Sequence, residues 1–298
     1  MPSAAGTRNN RSHRHLLAPI LSRCDRGTPV VSALCNLYSE SGYQSLQGPL
    51  VNSEPSGQPQ PSANTEPDRV AARYAVRADN PKLEAIYTYM HPATCLVAQE
   101  RQRALIALLS ESAAHSLDEL TVLEVGCGAG KNLLELICLG FDPEHLVGNE
   151  LLDERVAIAR RNLPALCRVV AGDASALPFA AATFDIVYVS TVFSSLLDAK
   201  FQQLLANRIW DWVKPGGGVL WYDFIYNNPS NADVRGVPIK RLKELFPDGA
   251  FKIRRVTLAP PIGRRSAMIH PAIYKTLNLL PFLRSHVLCW VGKPRADN

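Results

Sequence analysis

No Cys-x-x-Cys pair occurs in this 298-residue chain, whose seven cysteines (Cys24, Cys35, Cys95, Cys127, Cys138, Cys167 and Cys289) lie scattered, as do its seven histidines. Such spacing does not build a tetrahedral zinc site, so no metal is expected, and dispersed thiols fit a reducing, cytoplasmic compartment better than a disulfide framework. Also missing is any apolar run near the ~20 residues that a membrane-spanning helix needs, so no span is expected. Lysine is absent from the first 68 residues. Acids are scarce at the other end, where residues 235–298 hold 13 basic and 3 acidic side chains against 14 and 19 over 69–234. A basic end quarter is either a solvated face or a region that draws an anionic partner: a phosphorylated metabolite, a nucleotide-linked sugar or a nucleic acid.

What is present divides the chain unevenly. Residues 1–68 are rich in Ser, Pro, Gly, Asn and Gln and include the tract Pro-Ser-Gly-Gln-Pro-Gln-Pro-Ser. Such a segment buries too little apolar surface to offset its ordering entropy, so a disordered extension is expected. Its first 24 residues carry four arginines and no acid, which weakly resembles an organellar presequence; an untargeted tail is the simpler reading. Order is expected from near Asp68 to Arg77, with a break at Asn80-Pro81, a short segment holding Tyr87 and Tyr89, and a helix over about 96–110. Residues 69–117 then form a helical segment ahead of a main domain at 118–298.

From Thr121 short apolar runs alternate with amphipathic stretches. The pattern predicts strands near 121–125, 145–149, 167–171, 184–190, 216–224, 251–257 and 286–292. Helices are expected near 129–139, 152–162, 199–213 and 239–246. This alternation implies an α/β fold, a doubly wound, mostly parallel seven-stranded sheet with ligands at the carboxyl ends of its strands.

The run Val122-Leu123-Glu124-Val125-Gly126-Cys127-Gly128-Ala129-Gly130-Lys131-Asn132 reads as a strand, a tight turn and a helix start. Glycines there let the backbone take positive φ and come close to a ligand. Two phosphate-binding spellings fail on particular residues. A dinucleotide fingerprint needs glycine where Lys131 stands, and a P-loop needs glycine at Val125 and a hydroxyl at Asn132. The remaining pattern, an acid two residues before Gly-x-Gly-x-Gly, resembles motif I of the class I S-adenosylmethionine-dependent methyltransferases. That resemblance implies S-adenosylmethionine as cofactor, with Glu124, Gly126, Gly128 and Gly130 in its cradle.

Other segments agree in order and spacing. Glu150 ends the second strand, where a carboxylate can accept hydrogen bonds from the vicinal hydroxyls of a ribose; taken alone it could equally be a solvated acid. Gly172-Asp173-Ala174 resembles the family's segment after the third strand, which implies that Asp173 takes the adenine amino group and the Ala174 N–H a ring nitrogen. A capping Asp is the plain alternative. Phe184-Asp185-Ile186-Val187 and Val213-Lys214-Pro215-Gly216-Gly217-Gly218 match the family as well. The chain closely resembles the broad group whose members act mainly on small molecules and lipids, and this resemblance implies that the segment at 69–117 lids the cofactor. The Tyr-Asp-Phe and Thr-Leu-Ala-Pro-Pro segments are also similar to bacterial methyltransferases associated with surface polysaccharides, which implies a saccharide-like acceptor.

Methyl transfer is an in-line displacement, so the enzyme must orient its acceptor and exclude water, and an oxygen acceptor gains from a general base. Asp223, at an apolar strand end, is the candidate base because burial would raise its pKa; capping or pairing with Arg235 is the alternative. Candidate acceptor contacts are Ser190, Thr191 and Ser194 after the fourth strand and Tyr226, Asn227 and Arg235 after the fifth. Arg264 is a further candidate, in an expected rigid loop around Thr257–Arg265 that precedes a helix over 271–280. The expected activity is methyl transfer to a polar, anionic or saccharide-like small molecule, at oxygen. A nucleic-acid methyltransferase and a noncatalytic cofactor-binding protein stay open; the oligomeric state is not legible.

Overall fold

Strands that are apolar toward both faces belong in a parallel sheet with helices above and below. The computed structural model describes residues 65–78, 88–112, 116–228 and 231–295 and has that architecture. Its strands are β1 (Val122–Val125), β2 (Leu146–Glu150), β3 (Arg168–Ala171), β4 (Phe184–Ser190), β5 (Val213–Phe224), β6 (Ala250–Leu258) and β7 (Arg284–Gly292). They form one seven-stranded sheet in the order β3-β2-β1-β4-β5-β7-β6. All pairings are parallel except those of β7, which runs antiparallel to β5 and β6. The order reverses between β1 and β4, and ligands of such sheets bind outside the carboxyl ends at that reversal.

Among the described residues the α-helices are α1 (Glu66–Ala78), α2 (Pro92–Ser112), α3 (Lys131–Leu139), α4 (Asp153–Asn162), α5 (Ala199–Trp212), α6 (Ile239–Leu245), α7 (Pro260–Ile269) and α8 (Pro271–Leu277). Successive strand residues serve opposite faces. Val187 and Val189 join Leu205, Ile209 and Trp212 of α5 on one side, while Tyr188 joins Leu105 and Leu108 of α2 and Leu133 and Leu136 of α3 on the other. Asp198 caps α5 by accepting the N–H groups of Lys200 and Phe201, which fixes where the helix begins after β4.

The expected doubly wound sheet is present, and three local expectations change. Thr257–Arg265 is not a loop: β6 runs to Leu258 and α7 starts at Pro260, because prolines in a first helical turn give up only N–H groups that have no helical acceptor. The helix expected over 271–280 stops at Leu277. Helix α5 ends at Trp212, and β5 begins at once with Val213 instead of at 216. Phe184 pairs with Val213 and Ile186 with Gly218, so residues 214–217 bulge from the ladder. The first 64 residues, the break at Asn80-Pro81 and Tyr87 lie outside the described residues; α1 begins at Glu66, two residues ahead of the expected boundary.

The bulge joins the two family-like segments around it. Lys214 Nζ lies 2.8 Å from Asp185 Oδ2, which also accepts the Thr121 N–H at 2.9 Å and hydroxyl at 2.6 Å. Gly217 passes so close that an added Cβ would stand 2.4 Å from the Asp185 carbonyl oxygen. Asp185 and Lys214 are therefore joints at the amino end of the sheet, and neither lines the cavity at its carboxyl end. Burial tends to raise the Asp185 pKa, but the bonds from Lys214 and Thr121 outweigh it and hold it below the usual carboxylate value. A lowered folded pKa stabilises above the unfolded value and is lost as pH falls through the folded one. Asp185→Asn is expected to cost about 1–2 kcal/mol at pH 7 and to flatten the acid limb of stability below about pH 4, measured by urea melts from pH 3 to 7.

Candidate active site

A cavity of about 260 Å3 opens at the carboxyl ends of β1, β2 and β4. Its floor is the glycine turn, where Gly126, Gly128 and Gly130 take φ of 68°, 57° and 85°. At Gly128 this left-handed backbone lets the N–H turn toward β2: it donates to Glu150 Oε2 at 2.8 Å. The other oxygen, Oε1, accepts the Leu152 N–H at 3.0 Å. Each carboxylate oxygen can accept a second bond, so Glu150 is fixed by the backbone and still has capacity for two more donors. Asp173 lines the cavity beside Ala174 and caps the short turn Ala174–Ala176, its two oxygens taking the Ser175 N–H at 2.9 Å and hydroxyl at 2.7 Å. Capping and cavity lining coexist, because the carboxylate has more lone pairs than Ser175 uses.

Glu124 lies wholly buried at the foot of the turn. Asn132 Nδ2 donates to its Oε1 at 2.6 Å, whereas Oε2 has no partner among the described residues. Burial pushes its pKa up to about 8, more than the Asn132 amide and the nearby Arg101 charge pull it back. An orphaned buried acceptor calls for a donor, and the cationic ammonium of S-adenosylmethionine supplies that chemistry. With Glu150 matched to paired hydroxyls, the set of acceptors fits this cofactor, with Glu124 behind the residues that line the cavity.

The expected residues divide clearly. Glu150, Asp173, Ala174, Ser190 and Thr191 line the cavity together with Gly126 and Gly128. Thr191 does so in left-handed backbone at φ 55°, its N–H held by the Tyr222 carbonyl at 2.7 Å. Gly130 instead packs under Leu163 and opens α3. Asp223 does not line this cavity. Only 1% exposed, it accepts the Ser194 N–H at 3.0 Å and the Phe224 N–H at 2.9 Å. Burial raises its pKa to about 7 against those bonds. Its place is beneath the turn Phe193–Ser195, whose Ser195 lines the cavity.

The remaining acceptor candidates stand elsewhere. Ser194 is buried over Asp223. Tyr226 is half-exposed and its hydroxyl meets Arg255. Asn227 Oδ1 accepts the Gly236 N–H at 3.0 Å and so closes its own loop. Arg235 uses its backbone N–H on the Ser194 carbonyl while its side chain is exposed. Arg264 sits within α7. Arg235 and Asp223 form no ion pair.

Sequence reasoning expected a lid from residues 69–117 but named no cavity-lining residue in α1. Pro67, Val70 and Tyr74 line the cavity, and Arg155 of α4 lies 4.4 Å over the Tyr74 ring. Glu66 fastens the helix: its Oε1 accepts the Leu197 N–H at 2.7 Å and Arg73 at 3.0 Å, and Oε2 accepts Arg69 Nε at 2.8 Å. Arg73 also donates to the Ser195 carbonyl at 2.8 Å. The Glu66, Arg69, Arg73 spacing of three and seven was the available signal, masked by the low-complexity tract before it. Among the described residues no group of His, Cys, Asp and Glu could hold a metal ion.

Two substitutions probe this geometry by calorimetric titration with S-adenosylhomocysteine and by urea melts. Glu150→Ala is expected to weaken binding by about 1–3 kcal/mol. Glu124→Gln is expected to weaken it too, while removing a stability loss of the ligand-free chain. A carboxyl whose folded pKa lies near 8, above its unfolded value, is destabilising as pH rises from about 4.5 toward 8, and glutamine abolishes that slope.

Comparison with known proteins agrees with this geometry. Residues 122–217 match a family model described as a methyltransferase domain. The chain is 32% identical over 160 residues to a phthiotriol/phenolphthiotriol dimycocerosates methyltransferase of Mycobacterium ulcerans, covering 51% of this chain and 56% of that protein. It is 39% identical over 97 residues to a malonyl-[acyl-carrier protein] O-methyltransferase of Bacteroides fragilis, covering 32% of this chain and 19% of that one. The chain thus spans little more than half the length of the first of these relatives and about a fifth of the second. A solved S-adenosylmethionine-dependent methyltransferase of Thermotoga maritima shares the fold at a TM-score of 0.51 and 15% identity, over 75% of this chain and 98% of that one. Residues 122–217 are thus a methyltransferase domain, and the sheet order and glycine turn are those of the class I S-adenosylmethionine-dependent methyltransferase fold.

Proposed function

We propose that this chain transfers a methyl group from S-adenosylmethionine to an oxygen of a polar small molecule. The observation that carries the reading is Glu150, clamped by two backbone N–H groups at the sheet's reversal point and still able to accept two hydroxyls. When bound, the cofactor supplies an electrophilic methyl group for in-line displacement. Glu150 would take the ribose hydroxyls, Asp173 and the Ala174 N–H the adenine edge, and Glu124 the ammonium group. Tyr74 and Val70 would shield the nucleoside from water, which strengthens each of these bonds.

The acceptor is assigned to the carboxyl ends of β4, β5 and β6. Support for a polar one comes from buried polar atoms there and beneath α2. The Tyr188 hydroxyl and Arg101 Nε have no partner among the described residues, while the Tyr222 hydroxyl and Thr257 Oγ1 are 2.9 Å apart. Ser190 and Thr191 supply hydroxyls at the cavity edge. Support for oxygen comes from His286, stacked 5.2 Å from Tyr222. Burial lowers its pKa to about 4, so it stands neutral at physiological pH, a weak base whose unprotonated ring nitrogen can accept a hydrogen bond and orient a substrate hydroxyl. Methyl transfer to the hydroxyl oxygen would form the carbon–oxygen bond, break the sulfonium–carbon bond and release the hydroxyl proton to solvent. The malonyl-[acyl-carrier protein] O-methyltransferase, a relative named for oxygen methylation, points the same way.

Asp223 is assigned a positioning role, holding the Phe193–Ser195 turn through the Ser194 N–H. Asp223→Asn is then expected to raise the dissociation constant for S-adenosylhomocysteine and the acceptor KM together and to leave the pH profile of kcat unchanged. A fall in kcat alone, with a shifted acidic limb, would restore Asp223 as the base. The reading as a whole is tested by titration with S-adenosylhomocysteine, with NAD and ATP as controls, followed by transfer of labelled methyl to hydroxyl-bearing acceptors, saccharides and phosphorylated metabolites included. Selective binding and labelled product are expected; binding without transfer to any acceptor would favour a noncatalytic cofactor-binding protein.

A further inference from the structure

The segment between β6 and β7 is two-sided. Inward, Ala267 and Tyr274 join Leu258 and Ala93 in a small core of their own, with Leu96 and Val97 of α2 packed against it. Outward, Ile262, Met268, Ile269, Leu279, Leu280 and Phe282 are 37%, 65%, 74%, 71%, 41% and 67% exposed. Single exposed apolar side chains are ordinary on a protein surface, but so many in one short stretch mark a surface that another body covers.

The charge on that stretch identifies the body. From Gly249 to Arg295 the sequence contains no Asp or Glu, while Arg264, Arg265 and Lys275 stand among the exposed apolar residues. None of these three enters an ion pair among the described residues. A second copy of the chain would set like charge against like across a symmetric contact. The interface of a bilayer carrying anionic headgroups meets both needs at once, taking apolar side chains at the acyl boundary and Arg and Lys at the phosphates. We infer that α7, α8 and the turn after them form a peripheral docking surface for an anionic lipid bilayer. The segment leaves from the carboxyl end of β6, the edge assigned above to the acceptor. Docking there would hand the enzyme an amphipathic acceptor with its hydroxyl toward the sheet; that corollary rests on the proposed function, whereas the docking itself does not.

The test is flotation of the full chain with phosphatidylcholine vesicles, alone and with phosphatidylglycerol added, at low and high salt. The wild type is expected to float with the anionic vesicles and to be released by salt. The double variants Ile269→Asp with Phe282→Asp, and Arg265→Glu with Lys275→Glu, are each expected to lower the bound fraction about tenfold or more, with affinity for S-adenosylhomocysteine unchanged. Wild type that stays at the bottom of the gradient overturns the inference, as do variants that float like wild type. A dimer in solution that the aspartate pair dissociates would assign the surface to a second copy and overturn it too. Failure of the wild type to bind S-adenosylhomocysteine would count against the proposed function, while the gradient still decides the docking.

Discussion

The hydrogen bond from the Gly128 N–H to the Glu150 carboxylate ties the two halves of the site together. It needs a left-handed residue after β1 and an acid at the last position of β2, on neighbouring parallel strands. Because the acid rests on the backbone, it cannot relax into solvent, and its remaining lone pairs keep a fixed direction. Such preorganisation lowers the ordering cost of binding. The same carboxylate holds the Leu152 N–H at the start of α4. A helix, a strand and the glycine turn are therefore set by a single side chain.

Much of this was legible in the sequence because its signals are local. Periodicity located every strand of the sheet, and the glycine pattern located the cavity floor. The expected site residues that stand away from the cavity depend on how strand ends pack against what lies above them. Asp223 reads as a base because it ends an apolar strand; in the fold the turn Phe193–Ser195 donates to its Oδ2 and the Phe224 N–H to its Oδ1. Tyr226, Asn227 and Arg235 follow in sequence, yet the Tyr226 hydroxyl meets Arg255 of β6, Asn227 closes its own loop, and Arg235 binds a neighbouring turn only through its backbone N–H. Thr257–Arg265 reads as a loop because proline and glycine break helices in mid-course, but at the first turn proline is compatible with one.

Three buried titratable groups on or near the site share one cause and differ in consequence. Burial raises Glu124 and Asp223 and lowers His286, so each leans toward its neutral form. Asp223 has two backbone donors that compensate it, whereas Glu124 has one side-chain amide and an open oxygen. The open oxygen makes Glu124 the group whose charge state a bound cation would change most. The ligand-free domain thus stores an unmet electrostatic demand beside its glycine turn.

Helix α1 closes one side of the cavity, and Glu66 holds it to the Leu197 N–H while Arg73 holds it to the Ser195 carbonyl. A nucleoside held behind Val70 and Tyr74, as proposed, would exchange with solvent more slowly while those bonds hold. Demethylated cofactor is the same size as its precursor at the nucleoside end, so the chemical step does nothing to loosen them. The ceiling on turnover would then be a mechanical rate, the frequency with which a short helix lifts from the turn that follows β4.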